Sequence, residues 1–313
     1  MTRRMIAMML AASALAGCAA TTVPEPRLAS DAQIAAAEAE PVSEFAAEMR
    51  WNERMAPFTI LDNVHYVGTA GIGVFLITTS EGHVLIDGAL AQSVPQILDN
   101  IRTLGFEPRD VKYILNTHAH FDHAAGLAGL QRASGAKVIG GAADKPYLEA
   151  GHVDHGPTMD ALFPPVRVDR TVGDGDTVTL GGTTLTAHLT PGHSPGCTSW
   201  GLTAKDSTGT PRNIFLHCSA SLGGQSLVPP AYPGMADNYR ASFAKVRAMQ
   251  ADVFLANHDM FFGLHEKRAR QLAGDQDAFV DPSELQRFNS TMEKGFLKAL
   301  AEQQAAADAA KRP

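Results

Sequence analysis

The stretch LNTHAHFDHAAG, Leu115 to Gly126, decides how this chain folds and what the fold presents. The run ahead of it, VKYIL (111–115), has the β-branched and aromatic content of a buried strand. The run behind it, AAGLAGLQRAS (124–134), has the apolar spacing of a helix. Between them His118, His120, Asp122 and His123 fall within six residues, in a chain with 12 histidines among 313 residues. Strand alternation aims His118 and His120 the same way. Asp122 and His123 open the next turn and reach a neighbouring point. Neutral imidazoles and a carboxylate are donors that zinc takes at about 2.0–2.2 Å.

One such string cannot close two metal sites, so distant partners are needed. LTPGHSPGC (189–197) places His193 in a Pro/Gly loop between strands, and VFLANHDMF (253–261) places His258 directly after an apolar strand. Both stand at strand ends, where loops held by a rigid sheet carry function. His65, His83, His152, His155, His188 and His265 lack ligand spacing, and His217 reads as a buried strand residue.

Working outward, FTIL (58–61), VHYVG (64–68), GVFLITT (73–79) and HVLIDG (83–88) read as strands. AQSVPQILDNIRTLG (91–105) has helical spacing at Val94, Ile97, Leu98, Ile101 and Leu104, with Gly105 as its stop. AKVIGG is a strand and AADKPYLEAG a short helix; the loop HVDHGPTMDALFPP (152–165) then separates two halves. The second half repeats the plan with strands DTVTL, TTLTAHLT, CTSWGLTA and NIFLHCS, helix ADNYRASFAKVRAM and strand ADVFLAN. Helices follow to the end, the last fraying after about Ala305. Two such halves in one domain over 46–313 predict an α/β, four-layer αββα sandwich, with two sheets face to face and helices outside.

Composition is that of a globular protein, 45% apolar and 19% charged. A formal charge of −7 leaves no basic footprint, which excludes nucleic acid as a partner. MTRR, MIAMMLAASALA and LAGC make residues 1–18 an export signal, too short to span a bilayer as a permanent helix. LAGC (15–18) resembles a bacterial lipoprotein box. That resemblance implies cleavage before Cys18 and a lipid anchor there as the only link to a membrane, with Ala19 pointing to the outer membrane. An ordinary signal peptide is the alternative, and the periplasm is expected under both. Residues 19–45, rich in Ala, Glu and Pro, read as a flexible tether. Cys197 and Cys218 remain; a disulfide and two buried thiols are both open.

The histidine string, the TPGHSPG loop and the post-strand His258 resemble the metallo-β-lactamase fold superfamily. WNERMAPFTILDNVHYVGTAGIGVFLITTSEGHVLIDGAL (51–90) and YILNTHAHFDHAAGLAGL (113–130) are similar to the class B β-lactamases of the third subclass. The resemblance implies two Zn2+ per chain, one held by His118, His120 and His193, the other by Asp122, His123 and His258. It implies hydrolysis of the β-lactam amide of penicillins, cephalosporins and carbapenems by a metal-bound hydroxide, hence antibiotic resistance, in a monomer. Asp122 would orient the attacking water and Asp87 brace the ligand loop. In FLHCSASLGG (215–224), Ser221 stands where relatives have an Asp or a Cys, and would contact a substrate carboxylate. A competing alignment puts Cys218 on the metal, and the second serine common in the subclass is Gly223 here. Ile72, Phe75, Met159, Leu162 and Phe163 are expected to border the substrate. A lactonase or other ester/thioester hydrolase would share all six ligands. A non-catalytic zinc-binding envelope lipoprotein is the remaining alternative.

Overall fold

The computed structural model describes residues 28–311. The export signal, Cys18 and the start of the expected tether lie outside them. A seven-stranded sheet runs in sequence order through β1 (Phe58–Leu61), β2 (Val64–Tyr66), β3 (Phe75–Thr79), β4 (Gly82–Ile86), β5 (Val111–Leu115), β6 (Lys137–Gly141) and β7 (Arg170–Val172). β1 to β4 pair antiparallel and β4 to β7 parallel. A five-stranded sheet holds β8 (Thr177–Leu180), β9 (Thr183–Leu189), β10 (Thr198–Lys205), β11 (Pro211–His217) and β12 (Val253–Ala256). Its order is β12-β11-β10-β9-β8, with β11 and β12 parallel.

Strand alternation builds the layers. Phe75, Ile77, Val84, Ile86, Leu115 and Ile139 face Leu185, Ala187, Trp200, Leu202 and Ile214 across the gap between the sheets. Their neighbours Leu76, Leu85, Ile114 and Val138 turn the other way, onto Ile97, Ile101, Leu127 and Leu130. Those last four belong to the helices α3 (Val94–Thr103) and α5 (Leu127–Ser134). On the other side α7 (Met235–Arg247) packs Tyr239 and Phe243 against Phe296 of α9 (Glu284–Ala310). Short helices α4 (Phe121–Ala124), α6 (Lys145–Ala150) and α8 (Leu264–Leu272) fill the connections. The αββα sandwich expected from the sequence is the fold observed.

Three details differ from the sequence reading, and the state of the two cysteines, left open there, is decided. The expected tether carries α1 (Asp31–Ala39), which packs on the domain, and its last two residues open α2 (Glu44–Glu48). Ser30 and Gln33 close a capping box on α1, Ile34 is buried, and Glu38 pairs with Arg132 at 2.8 Å. One buried isoleucine in an Ala-rich run leaves no periodicity to read. β7 was not expected, because three residues are too few for an alternation signal. α9 continues to Ala310 instead of fraying near Ala305. Cys197 and Cys218 form a disulfide, with Cα atoms 5.8 Å apart. Among the described residues no helix is long and apolar enough to cross a membrane.

Candidate metal centre

β5 ends at Leu115, and the chain crosses its C-terminal edge to deliver His118 and His120 before α4 starts at Phe121. Asp122 and His123 follow on the first turn of α4. The β9–β10 loop brings His193, and the chain leaving β12 brings His258. All six side chains meet. His118, His120 and His193 place one nitrogen each within 4.8 Å of the others, His120 Nδ1 and His193 Nε2 being 2.9 Å apart. Asp122 Oδ2, His123 Nε2 and His258 Nε2 form a triangle with edges of 3.1, 3.2 and 3.3 Å.

That triangle tests whether an ion fits. A tetrahedral zinc at about 2.0–2.1 Å sets its ligand atoms about 3.3 Å apart, the size of one face of the tetrahedron. His118 Nε2 is buried with no protein partner, a costly state for a polar atom unless something else binds it. The donor set, five imidazoles and one carboxylate, is that of a catalytic zinc site. The residues fit the metal.

The donors are held from behind. Asp87 is buried with φ +65°, a strained conformation for a residue with a Cβ. Its carboxylate accepts from the Thr117 N–H at 2.7 Å, the Thr117 hydroxyl at 2.6 Å and Asn116 Nδ2 at 3.1 Å. It also lies 3.5 Å from His123 Nδ1. The Thr117 hydroxyl, having given its proton to Asp87, is left to accept from His118 Nδ1 at 3.2 Å. That fixes the His118 tautomer with its Nε2 lone pair toward the centre. His193 donates through Nδ1 to the Ser221 carbonyl at 2.8 Å, which frees Nε2 in the same way. Asp144, fully buried, was missed by the sequence reading. It accepts from Ala119 N–H, Ser194 Oγ and Gly196 N–H, tying the histidine string to the His193 loop. Its local signal was nil, since only the fold brings those three donors to it.

Electrostatics follow from burial. Burial, reinforced by the neighbouring imidazoles, pushes His118 and His120 well below the ordinary value. Burial takes His193 down to about 4. These three stay neutral, as metal ligands must. Burial works against the charge on Asp122, yet His123 and His258 hold its carboxyl well below the usual range. Burial likewise opposes charge on His123, but without an ion Asp122 and Asp87 raise it to about 10, so metal binding there releases a proton.

Of the six side chains expected to contact substrate, five do not line the cleft over the metal centre and one does. Ile72 and Phe75 are fully buried: Ile72 makes a backbone bridge to His258, and Phe75 packs between Tyr66 and Phe262. Phe163 faces a separate hollow behind α1 and α2, with Leu162. Met159 is exposed but does not line the cleft over the metal centre. Ser221 does line it. The disulfide removes Cys218 as a thiolate ligand, which leaves the serine alignment. Gly223 has φ +56°, and a Cβ there would come within 3.1 Å of His193 Cε1, so the second serine has no room without a shift.

Residues 70–206 match the metallo-beta-lactamase superfamily. Among solved structures, BJP-1 of Bradyrhizobium japonicum, a subclass B3 metallo-beta-lactamase, is 46% identical with a TM-score of 0.79; the alignment covers 83% of this chain and 99% of that one. Among curated proteins, hydroxyacylglutathione hydrolase of Rhodospirillum rubrum is 33% identical over 112 residues, 36% of this chain. The N-acyl homoserine lactonase AttM of Rhizobium radiobacter is 28% identical over 162 residues, 39% of this chain. The chain spans only 35% and 56% of the length of these two relatives. Fold and donor set together define a metal-dependent hydrolase, and the chain belongs to the metallo-β-lactamase superfamily. Within it, the structural likeness is to subclass B3.

Proposed function

We propose that this protein hydrolyses the β-lactam amide bond with two zinc ions, one on His118, His120 and His193 and the other on Asp122, His123 and His258. The observation that carries this reading is the pair of adjacent donor triplets at the floor of one cleft, combined with likeness along nearly the whole of a subclass B3 enzyme. When bound, such a centre supplies Lewis-acid polarisation of a carbonyl and lowers the pKa of a water. The remaining roles belong to the chain. Asp122, ionised and aimed at the centre by Oδ2, orients the attacking water through a hydrogen bond. Ser221 offers its hydroxyl to the substrate carboxylate. The apolar lining around Trp51 and Phe121 excludes bulk water from the reacting bond. No covalent serine intermediate is required. We further propose export to the periplasm, release of residues 1–18 and attachment to the outer membrane through Cys18, in a monomer. The LAGC sequence supports this, as does the Cys197–Cys218 disulfide, which suits an oxidising compartment.

The curated relatives favour a second reading, a thioester or lactone hydrolase. Against it stands the cleft lining, whose single carboxylate among the described residues is Asp122. The 218–224 segment has no Asp to bridge two metals as in many hydrolases of the superfamily. The test is to assay zinc-loaded protein on a penicillin, a cephalosporin and a carbapenem beside an acyl-homoserine lactone and an acylglutathione thioester. Faster turnover of the β-lactams is expected; a clear preference for lactone or thioester would replace the proposal.

A further inference from the structure

One buried histidine belongs to neither donor triplet. His155 is 4% exposed and stands in the loop between α6 and β7. Its Nδ1 lies 3.0 Å from Asp154 Oδ1. A carboxylate can only accept, so Nδ1 carries the proton and Nε2 is left as an acceptor. That Nε2 is buried with no protein partner. The ring stands edge-on between two tyrosines, Tyr147 of α6 at 5.3 Å and Tyr232 at 5.2 Å. Such contacts depend on how a ring is turned as well as on its volume. A phenylalanine would fill the same gap without a stranded nitrogen, so the imidazole calls for a reason.

Both tyrosines lead to His193, from opposite sides. The Tyr232 hydroxyl donates to the Gly192 carbonyl at 2.9 Å. The next carbonyl, that of His193 itself, accepts from Gln225 Nε2 at 2.7 Å. Gln225 rests on the residue after His155: a Cβ on Gly156 would come within 3.2 Å of its Cγ. Tyr232 and Gln225 are both buried, so water cannot take over either bond. On the other side, Tyr147 lies one turn into α6 from its N-cap, Asp144. Asp144 in turn grips Ser194 and Gly196. The loop is thus held before His193 by one set of groups and after it by another. His155 packs against both sets and ties them together.

We propose that His155 is a positioning residue for the first triplet: its ring, held edge-on by Asp154, locks Tyr232 against Tyr147 and so fixes the loop that aims His193 Nε2 at the metal. The proposal rests on the metal reading of the site and is indifferent to which substrate is cleaved.

The test is a double-mutant cycle of His155→Phe and Tyr232→Phe, read first by metal binding. His155→Phe keeps a ring between the tyrosines and loses the bond to Asp154; Tyr232→Phe removes one hydroxyl. Competitive titration with a chromophoric chelator should show one of the two zinc-binding events weakened about three- to tenfold in each. The d–d bands of bound Co2+, which report ligand geometry, should shift. With the zinc-loaded protein and benzylpenicillin, kcat should fall by a similar factor while KM stays within about twofold. Both substitutions cut one path, so the double variant should bind zinc no more than about twofold worse than the weaker single one. Asp154→Ala cuts the same path from the surface, at a side chain 68% exposed, and leaves the packing intact. It should weaken the same zinc-binding event at least about twofold. Wild-type metal affinity and cobalt spectrum in Asp154→Ala, or losses that multiply in the double variant, overturn the proposal. A change in KM alone does so too, since it would make His155 a prop for the cleft wall. If no β-lactam is hydrolysed yet metal binding weakens as stated, the hydrolytic reading falls and this one stands. If β-lactams are hydrolysed and metal binding is unchanged, the reverse holds.

Discussion

The two donor triplets lie side by side but are built differently. His118, His120 and His193 are neutral imidazoles drawn from both halves of the chain. The outer nitrogens of His118 and His193 are fixed by a threonine hydroxyl and a backbone carbonyl. Asp122, His123 and His258 include a carboxylate, and two of them sit in one turn of α4. The first triplet depends on loop placement, the second on the charge of Asp122. Substitutions should separate these dependences.

The largest effect comes from taking the metal away from both. Chelation with EDTA should bring hydrolysis to background, and zinc should restore it, because no side chain in the cleft substitutes for the Lewis acid. Activity surviving chelation would remove the basis for the comparison. Asp122→Asn comes next. It keeps shape but removes the only anionic donor of the second triplet. Bound zinc, measured by inductively coupled plasma spectrometry after dialysis, should fall from two ions toward one. With several kcal/mol of transition-state stabilisation lost, kcat should drop on the order of 10²-fold or more. Retention of two ions would mean that charge does not distinguish the sites.

The contrast also explains what was legible in the sequence. His118, His120, Asp122 and His123 announce themselves because strand and helix periodicities place them within one short string. His193 and His258 were found because each directly follows or joins strands that the sequence marks well. The αββα plan was readable from alternation, since Leu76 and Ile77 face different layers as period two requires. The apolar lining of the cleft was not readable. Phe45 sits on a five-residue helix with no periodicity of its own, and Met260 lies far along the chain; only the fold brings both to the cleft. Ile72 and Phe75, expected to border the substrate, belong to a glycine-rich turn, GTAGIGVF (68–75). The backbone of that turn serves the site while their side chains fill the core.

Asp87 sharpens the comparison because it touches both triplets, through Thr117 to His118 and directly to His123. Asp87→Ala should weaken zinc affinity about 10- to 100-fold, the usual cost of losing such an outer partner. Competitive titration with a chromophoric chelator reads both binding events. If only one weakens, the brace serves one triplet.

The smallest expected effect concerns the scaffold behind His193. His217 is buried, accepts or donates at Nδ1 with Ser199 Oγ at 2.9 Å, and that hydroxyl also contacts Thr190 and accepts from the Cys218 N–H. Burial pushes its imidazole down to about 3. Between about pH 3 and about 6.5 the unfolded chain therefore binds a proton that the folded chain does not. Stability from this group is complete above about pH 6.5 and is lost as pH falls toward 3, the loss amounting to about 2 kcal/mol at pH 5. The urea midpoint of zinc-loaded wild type should drop between pH 7 and pH 5, and His217→Gln should flatten that drop whatever it does to stability at pH 7. An unchanged slope would show that His217 takes up its proton in the folded state. The acid sensitivity of the loop carrying His193 would then have to arise elsewhere, and the first triplet would owe less to its buried scaffold than its neutral donors suggest.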